Sequence, residues 1–437
     1  MKTKKLSFKK QLSAPGLLKI TRQAFQKIPD YLKSTSPFSL ADCLTSGLAL
    51  FGLKYPSLLQ FDKDSRSDDM AKNNLRTLYG IKQVPCDTTM RERLDKVEPY
   101  FLQKPINKII ATLQRGKILE QYRYFQNYLL VAIDGSGYFS SHQIHCSSCC
   151  EKHHQDGSVT YYHQMLAAVI VHPLHKIVFP LAVEPIQKDD GISKNDCEHN
   201  AAKRLLVTIH NSHPHLNVIF LLDALYADGP IIRLLKQYGF RFIITAKAKD
   251  LKYLFEIYTF RQKEECLLQG AQGQEERYLF ANDLPLNSVH DEIQVNCLEF
   301  FETGAKEHHF CWITDLLLNK TNFDIIARGG RARWHIENET FNTLKNQGYQ
   351  FEHNFGHGYK HLGTVMAYLM FTAFLIDQVQ EFCCKYFKAA LIKCESRKYL
   401  WRKMSGLFVH YFLDSWEYLF LAIINGFRSK IEIFDSS

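Results

Sequence analysis

Between residues 128 and 245 the apolar positions fall into short runs that alternate with stretches of helical spacing. Residues 128–133 (YLLVAI) form an unbroken apolar run of strand length that ends at Asp134. Two further strands, 161–172 (YYHQMLAAVIVH) and 176–183 (KIVFPLAV), follow across a turn containing Pro173. The period then changes. Residues 195–210 (NDCEHNAAKRLLVTIH) place their apolar positions on one helical face behind an Asn/Asp start. A fourth strand, 218–222 (VIFLL), ends at Asp223, a short helix covers 229–238, and a fifth strand covers 240–245 (FRFIIT). Three strands, a helix, a strand, a helix and a strand predict an α/β fold, with helices covering a mixed sheet.

The flanks read differently. Residues 249–318 are strand-prone, for example 277–281 (RYLFA), 293–301 and 309–314, which predicts a β-rich insertion. Residues 1–125 read as helical, with apolar clusters at 40–53 and 106–118 and a charged stretch, 62–74 (DKDSRSDDMAKNN), expected to be a solvated loop. From residue 323 onward the chain is helical again. The longest apolar run, 362–376 (LGTVMAYLMFTAFLI), is shorter than the roughly 20 residues of a membrane span, and Asp377 closes it. A buried core helix is expected there.

Composition narrows the class. The chain has 437 residues, 46% hydrophobic and 13% aromatic, which excludes a disordered protein and allows more than one domain. Its 54 Lys plus Arg against 45 Asp plus Glu give a net charge of +9, which permits a polyanionic partner without requiring one. The basic start, MKTKKLSFKK, is not followed by an apolar stretch of signal-peptide length. The 12 cysteines are therefore expected to be reduced thiols in a cytoplasm.

Three carboxylates carry the candidate chemistry. Asp134 and Asp223 each follow an apolar strand, and side chains at strand ends converge on one sheet edge. Singly, each is usually a turn or cap residue; the two together, in this element order, balance the readings. Glu337 lies in a helix-prone segment, RARWHIENETFNTLKNQ, with Glu339 as its rival. Three carboxylates in one pocket repel one another unless cations neutralise them. Hard oxygen donors select Mg²⁺ or Mn²⁺, and two such ions suit in-line displacement at phosphorus.

The third segment resembles the Tyr-Arg-Glu-Lys signature of the insertion-sequence-4-like group of bacterial DDE transposases. Arg333 precedes Glu337 by the four positions of that pattern, Trp334 and Ile336 complete an RWxIE string, and Lys345 follows. The blocks IENETFNTLKNQGY, EHNFGHG, LALFGLKYPSLLQFD and TMRERLD extend the resemblance over about residues 40–380. Two departures stand out: the signature tyrosine falls on Gly330, and Lys345 lies one position too far from Glu337.

The resemblance implies an RNase H-like catalytic core that cuts transposon ends and joins them to target DNA. Asp134, Asp223 and Glu337 would hold two Mg²⁺ or Mn²⁺ ions. Arg333, Lys345 and Arg331 would contact DNA. It further implies recognition of terminal inverted repeats, a DNA hairpin intermediate, a homodimer pairing both ends, and a bacterial cytoplasm close to the nucleoid, with no membrane partner. The layout expected is a helical DNA-binding region over 1–125, core over 126–248 and 319–385, insertion over 249–318, and a helical region over 386–437. A stand-alone metal-dependent nuclease, or an inactive domesticated DNA-binding protein, would share most of these features.

Smaller features compete for attention. The segment 142–163 holds Cys146, Cys149, Cys150, His145, His153 and His154, but their spacing matches no standard zinc finger. Zinc at Cys146 and Cys149 is therefore not expected, and a His- and Lys-rich loop is. Residues 195–198, just before the core helix, could include an outer-shell carboxylate, although helix capping accounts for that stretch better. Tyr226 reads either as a DNA contact or as packing against the next helix.

Overall fold

The computed structural model describes residues 10–30, 37–191, 194–270, 273–303 and 307–427. The basic residues 1–9 and the side chain of Asn195 lie outside them. The chain divides into two compact units, residues 1–112 with 344–437, and residues 113–343. The sequence layout keeps the two helical flanks apart and runs the core from 319 to 385. The structure instead joins both flanks and divides that core segment near residue 343.

The reason lies in helix Leu362–Cys383. It is apolar nearly all round and buried from Leu362 through Gln380 save for two positions, so it needs cover on every side. It is long and apolar enough to cross a membrane by length and composition, yet here it is a core helix, packed against Leu40–Gly52 and Ala14–Phe25. Asp377 does not end it. The Asp377 carboxylate is buried and paired with Lys54 Nζ at 2.7 Å, and the Tyr349 hydroxyl donates to it at 2.6 Å. Lys54 also lies 4.1 Å from the Tyr349 ring and 4.2 Å from the Trp401 ring.

The charged stretch 62–74 is helical rather than a loop. Helices Leu58–Ser67 and Asp69–Tyr79 meet at Asp68, whose side chain accepts from the Met70 N–H at 2.8 Å and caps the second helix. Ala71, Asn74, Leu75 and Leu78 make one buried face. The Asn74 amide donates to the carbonyls of Phe408 and Tyr411 at 2.7 Å each.

The second unit is a mixed α/β structure around a ten-stranded sheet. Its strands are β1 (Leu129–Ser141), β2 (Cys150–His153), β3 (Val159–His172), β4 (His175–Ile186), β5 (Val218–Leu222), β6 (Arg241–Thr245), β7 (Glu264–Gln269), β8 (Glu275–Pro285), β9 (Gln294–Thr303) and β10 (His308–Thr314). They lie in the order β2-β3-β1-β5-β6-β10-β9-β8-β7, with β4 also paired to β3. β1, β5 and β6 are mutually parallel and the remaining pairs antiparallel.

Central parallel strands are covered on both faces, which is why they read as unbroken apolar runs. Leu130, Val131, Ile219, Phe220, Leu221 and Ile244 are fully buried. Helices α1 (Lys194–Ser212), α2 (Gly229–Gln237), α3 (Lys252–Phe260) and α4 (Phe323–Arg331) pack on this sheet. The β-rich insertion is no separate layer. Its strand β10 pairs with β6, so β7 to β10 continue the same sheet.

Candidate active site

Asp134 does not close its strand as the apolar run implies. β1 continues to Ser141 against β3, and only its pairing with β5 stops, at Ala132 opposite Leu221. Asp134 and Asp223 each stand two residues beyond that last rung. Parallel register therefore puts both on one face of neighbouring strands, which run about 4.8 Å apart. Asp223 leaves the sheet into a short turn, where its Oδ1 accepts from the Leu225 N–H at 2.6 Å.

The Asp134 carboxylate is half-buried. Its Oδ1 accepts from the Gly135 N–H at 2.9 Å, and its Oδ2 accepts from Arg333 Nη1 at 3.1 Å. Burial pushes this carboxyl above its ordinary value, the Arg333 guanidinium and Gly135 N–H pull it back, and the charges of Asp223 and Glu337 push it up again. Asp223 and Glu337 are thus both within electrostatic reach of Asp134.

Glu337 sits on a π-helical turn, Ile336–Phe341, reached from α4 through a break at Ala332 and Arg333. The helix-prone segment is therefore not one continuous α-helix from Arg333 to Glu337; widened turns of this kind recur at functional sites. The rival carboxylates, both on this turn, influence different neighbours. Glu337 acts on Asp134, whereas Glu339 acts on His335, whose imidazole burial holds below its ordinary value while Glu339 pulls it back up.

The cationic residues divide. Arg333 belongs to the carboxylate cluster. Arg331 does not: its guanidinium lies 3.8 Å from Glu302 and over the rings of Phe300 and Phe310, on strands of the insertion. Lys345 falls in the helical unit, ion-paired with Glu352 at 3.0 Å. The departure at Gly330 has a steric cause. A Cβ there would lie 2.6 Å from Trp312 Nε1, so no tyrosine fits.

Two further groups join the site. The buried Tyr226 hydroxyl donates to Glu198 Oε1 at 2.9 Å, and that oxygen lies 3.8 Å from where a Cβ on Gly135 would stand. Burial holds the Tyr226 hydroxyl far above its ordinary value, reinforced by Glu198 and then by Asp134 and Asp223. Glu198 is inside α1 rather than at its cap. The acidic position near the start of the core helix was the sequence signal for it. Cys146 and Cys149 of the β1–β3 connection form a Cys/His cluster with His163 of β3, where a metal-free loop is expected.

No protein-family model matches the chain, and no curated protein matches it. Among solved structures, the chain is similar to one described as the crystal structure of the NurA nuclease from Sulfolobus solfataricus. That likeness covers 50% of this chain and 80% of the other, at 13% identity and a TM-score of 0.23. A superposition of that quality decides neither fold nor chemistry.

Proposed function

We propose that the chain is a DDE-type DNA transposase of the insertion-sequence-4-like kind, built on an RNase H-like core. The observation that carries the reading is the clustering of Asp134, Asp223 and Glu337, evident in the charge that the last two impose on the first. The strand order β4-β3-β1-β5-β6, with β1, β5 and β6 parallel, supports the RNase H-like assignment.

A divalent cation fits these residues. They offer hard oxygen donors and mutually repelling charges, and among the described residues Arg333 provides the countercharge hydrogen-bonded to Asp134. Asp134, Asp223 and Glu337 would hold Mg²⁺ or Mn²⁺, two ions in a full site, which supply Lewis-acid activation at phosphorus. Arg333 orients a phosphate through its planar guanidinium, a geometry lysine does not reproduce. The hydrogen-bonded pair of Glu198 and Tyr226 lies beside Gly135, the neighbour of Asp134. The protein acts on its own element's ends in a bacterial cytoplasm, as a homodimer that pairs them.

The test combines purified protein, Mg²⁺ and DNA carrying the element's ends. Cleavage followed by joining of the freed 3′-hydroxyl to target DNA is expected. Asp134→Ala and Asp223→Ala abolish cleavage while end-binding persists; retained cleavage in either variant removes that aspartate from the mechanism. Cut ends that never join would make the chain a nuclease instead.

A further inference from the structure

The sequence offers seven Cys and His residues in the β1–β3 connection, and the structure selects among them; His142 Nδ1 lies 3.2 Å from the Val159 carbonyl oxygen. Cys150 turns away, its thiol facing the Ile186 carbonyl at 3.8 Å. The His145 ring stacks on Tyr161 at 4.3 Å, His153 pairs with Glu151, and His154 meets the Thr160 hydroxyl at 2.7 Å. Cys146 and Cys149 remain, on a tight turn in which the Cys149 N–H donates to the Cys146 carbonyl at 3.2 Å.

Their partner comes from inside β3. Hairpin pairing sets His163 opposite Phe139, where the Tyr138 ring lies parallel to the imidazole at 5.7 Å. His163 Nε2 lies 3.5 Å from Cys146 Sγ and 3.3 Å from Cys149 Sγ, and the two sulfurs are 3.8 Å apart. A zinc tetrahedron with Zn–S near 2.3 Å and Zn–N near 2.0–2.1 Å has edges of about 3.8 Å between sulfurs and about 3.5 Å from sulfur to nitrogen. All three measured edges match it to within about 0.2 Å.

The surroundings suit a thiolate site. The Cys146 N–H points at Cys149 Sγ at 3.4 Å, the kind of backbone donation that steadies a thiolate. Cys149 and His163 are 1% and 6% exposed, so the pocket is largely shielded from water.

We infer that Cys146, Cys149 and His163 form a structural zinc site that pins the β1–β3 connection. The inference does not depend on the DNA chemistry proposed above, because none of the three is a member of the carboxylate cluster. Zinc binds here with release of the two thiol protons and no change of oxidation state.

Elemental analysis of protein purified without chelator should find about one zinc per chain. Cobalt-substituted protein should show intense visible absorption with a sulfur-to-cobalt charge-transfer band. X-ray absorption at the zinc edge should count two sulfurs and at least one nitrogen. Cys146→Ser, Cys149→Ser and His163→Ala should each lose the metal, whereas Cys150→Ser keeps it. The wild-type cobalt spectrum reads the site without relying on a variant's folding. Absence of the charge-transfer band, zinc-free protein after reconstitution, a Cys146–Cys149 disulfide in its place, or equal loss in Cys150→Ser would overturn the assignment.

Discussion

Removing the Arg333 guanidinium isolates the electrostatics on which the carboxylate cluster rests. Its Nη1 lies 3.1 Å from Asp134 Oδ2, with side chains only 17% and 30% exposed. A hydrogen bond to a charged group contributes about 1.5–3 kcal/mol. Truncating one member of a fully buried pair costs about 3–5 kcal/mol. Partial exposure places Arg333→Ala between the two, at about 2–3 kcal/mol. In a unit of this size each kcal/mol moves the melting temperature by about 2–4 °C, so a fall of roughly 4–12 °C is expected.

The pH dependence supplies the sharper test. Burial raises the Asp134 carboxyl, and losing Arg333 raises it further. A carboxyl raised in the folded state favours folding while protonated and loses that contribution as pH climbs through its folded value. The Arg333→Ala deficit is therefore full near neutral pH and shrinks in acid, where Asp134 is protonated. Calorimetry of wild type, Arg333→Ala, Asp134→Asn and the double variant across pH measures this directly. The reasoning fails if the deficit is the same at about pH 4 and about pH 8, or persists undiminished in the Asp134→Asn background.

Other consequences are independent of that pair. Asp377→Ala strands the Lys54 ammonium, whose basicity burial already lowers, and should cost about 3–5 kcal/mol by denaturant titration. Gly330→Ala drives a methyl to 2.6 Å from the Trp312 indole and should cost about 1–3 kcal/mol, with a shift in tryptophan fluorescence. His213 is buried, and burial lowers its imidazole from 6.5 to about 4. A base depressed on folding stabilises the fold above its unfolded value and loses that contribution as pH falls towards the folded one. His213→Leu should accordingly flatten the acid limb of the stability curve between pH 6.5 and about 4.

The sheet was legible because its central strands are apolar on both faces, and Asp134 and Asp223 stand out where those runs end. The charged stretch 62–74 misled because one buried face of Ala71, Asn74, Leu75 and Leu78 is diluted by polar neighbours. Spacing alone could not separate Glu337 from Glu339; in the structure both lie on one π-helical turn, Glu337 adding its charge to Asp134 and Glu339 to His335. Arg331 looked equivalent to Arg333, yet the extended sheet supplies it with Glu302 and two aromatic rings. His163 was hidden for a different reason. It lies within a strand, and only the hairpin register carries it to Cys146 and Cys149.

The most direct measurement is an anomalous difference map from crystals soaked in Mn²⁺. Manganese bound by Asp134, Asp223 and Glu337, with Glu339 unligated, is the predicted result. Manganese bound elsewhere, or a well-ordered Asp134–Asp223–Glu337 cluster that takes up none at millimolar concentration, would contradict the proposed chemistry.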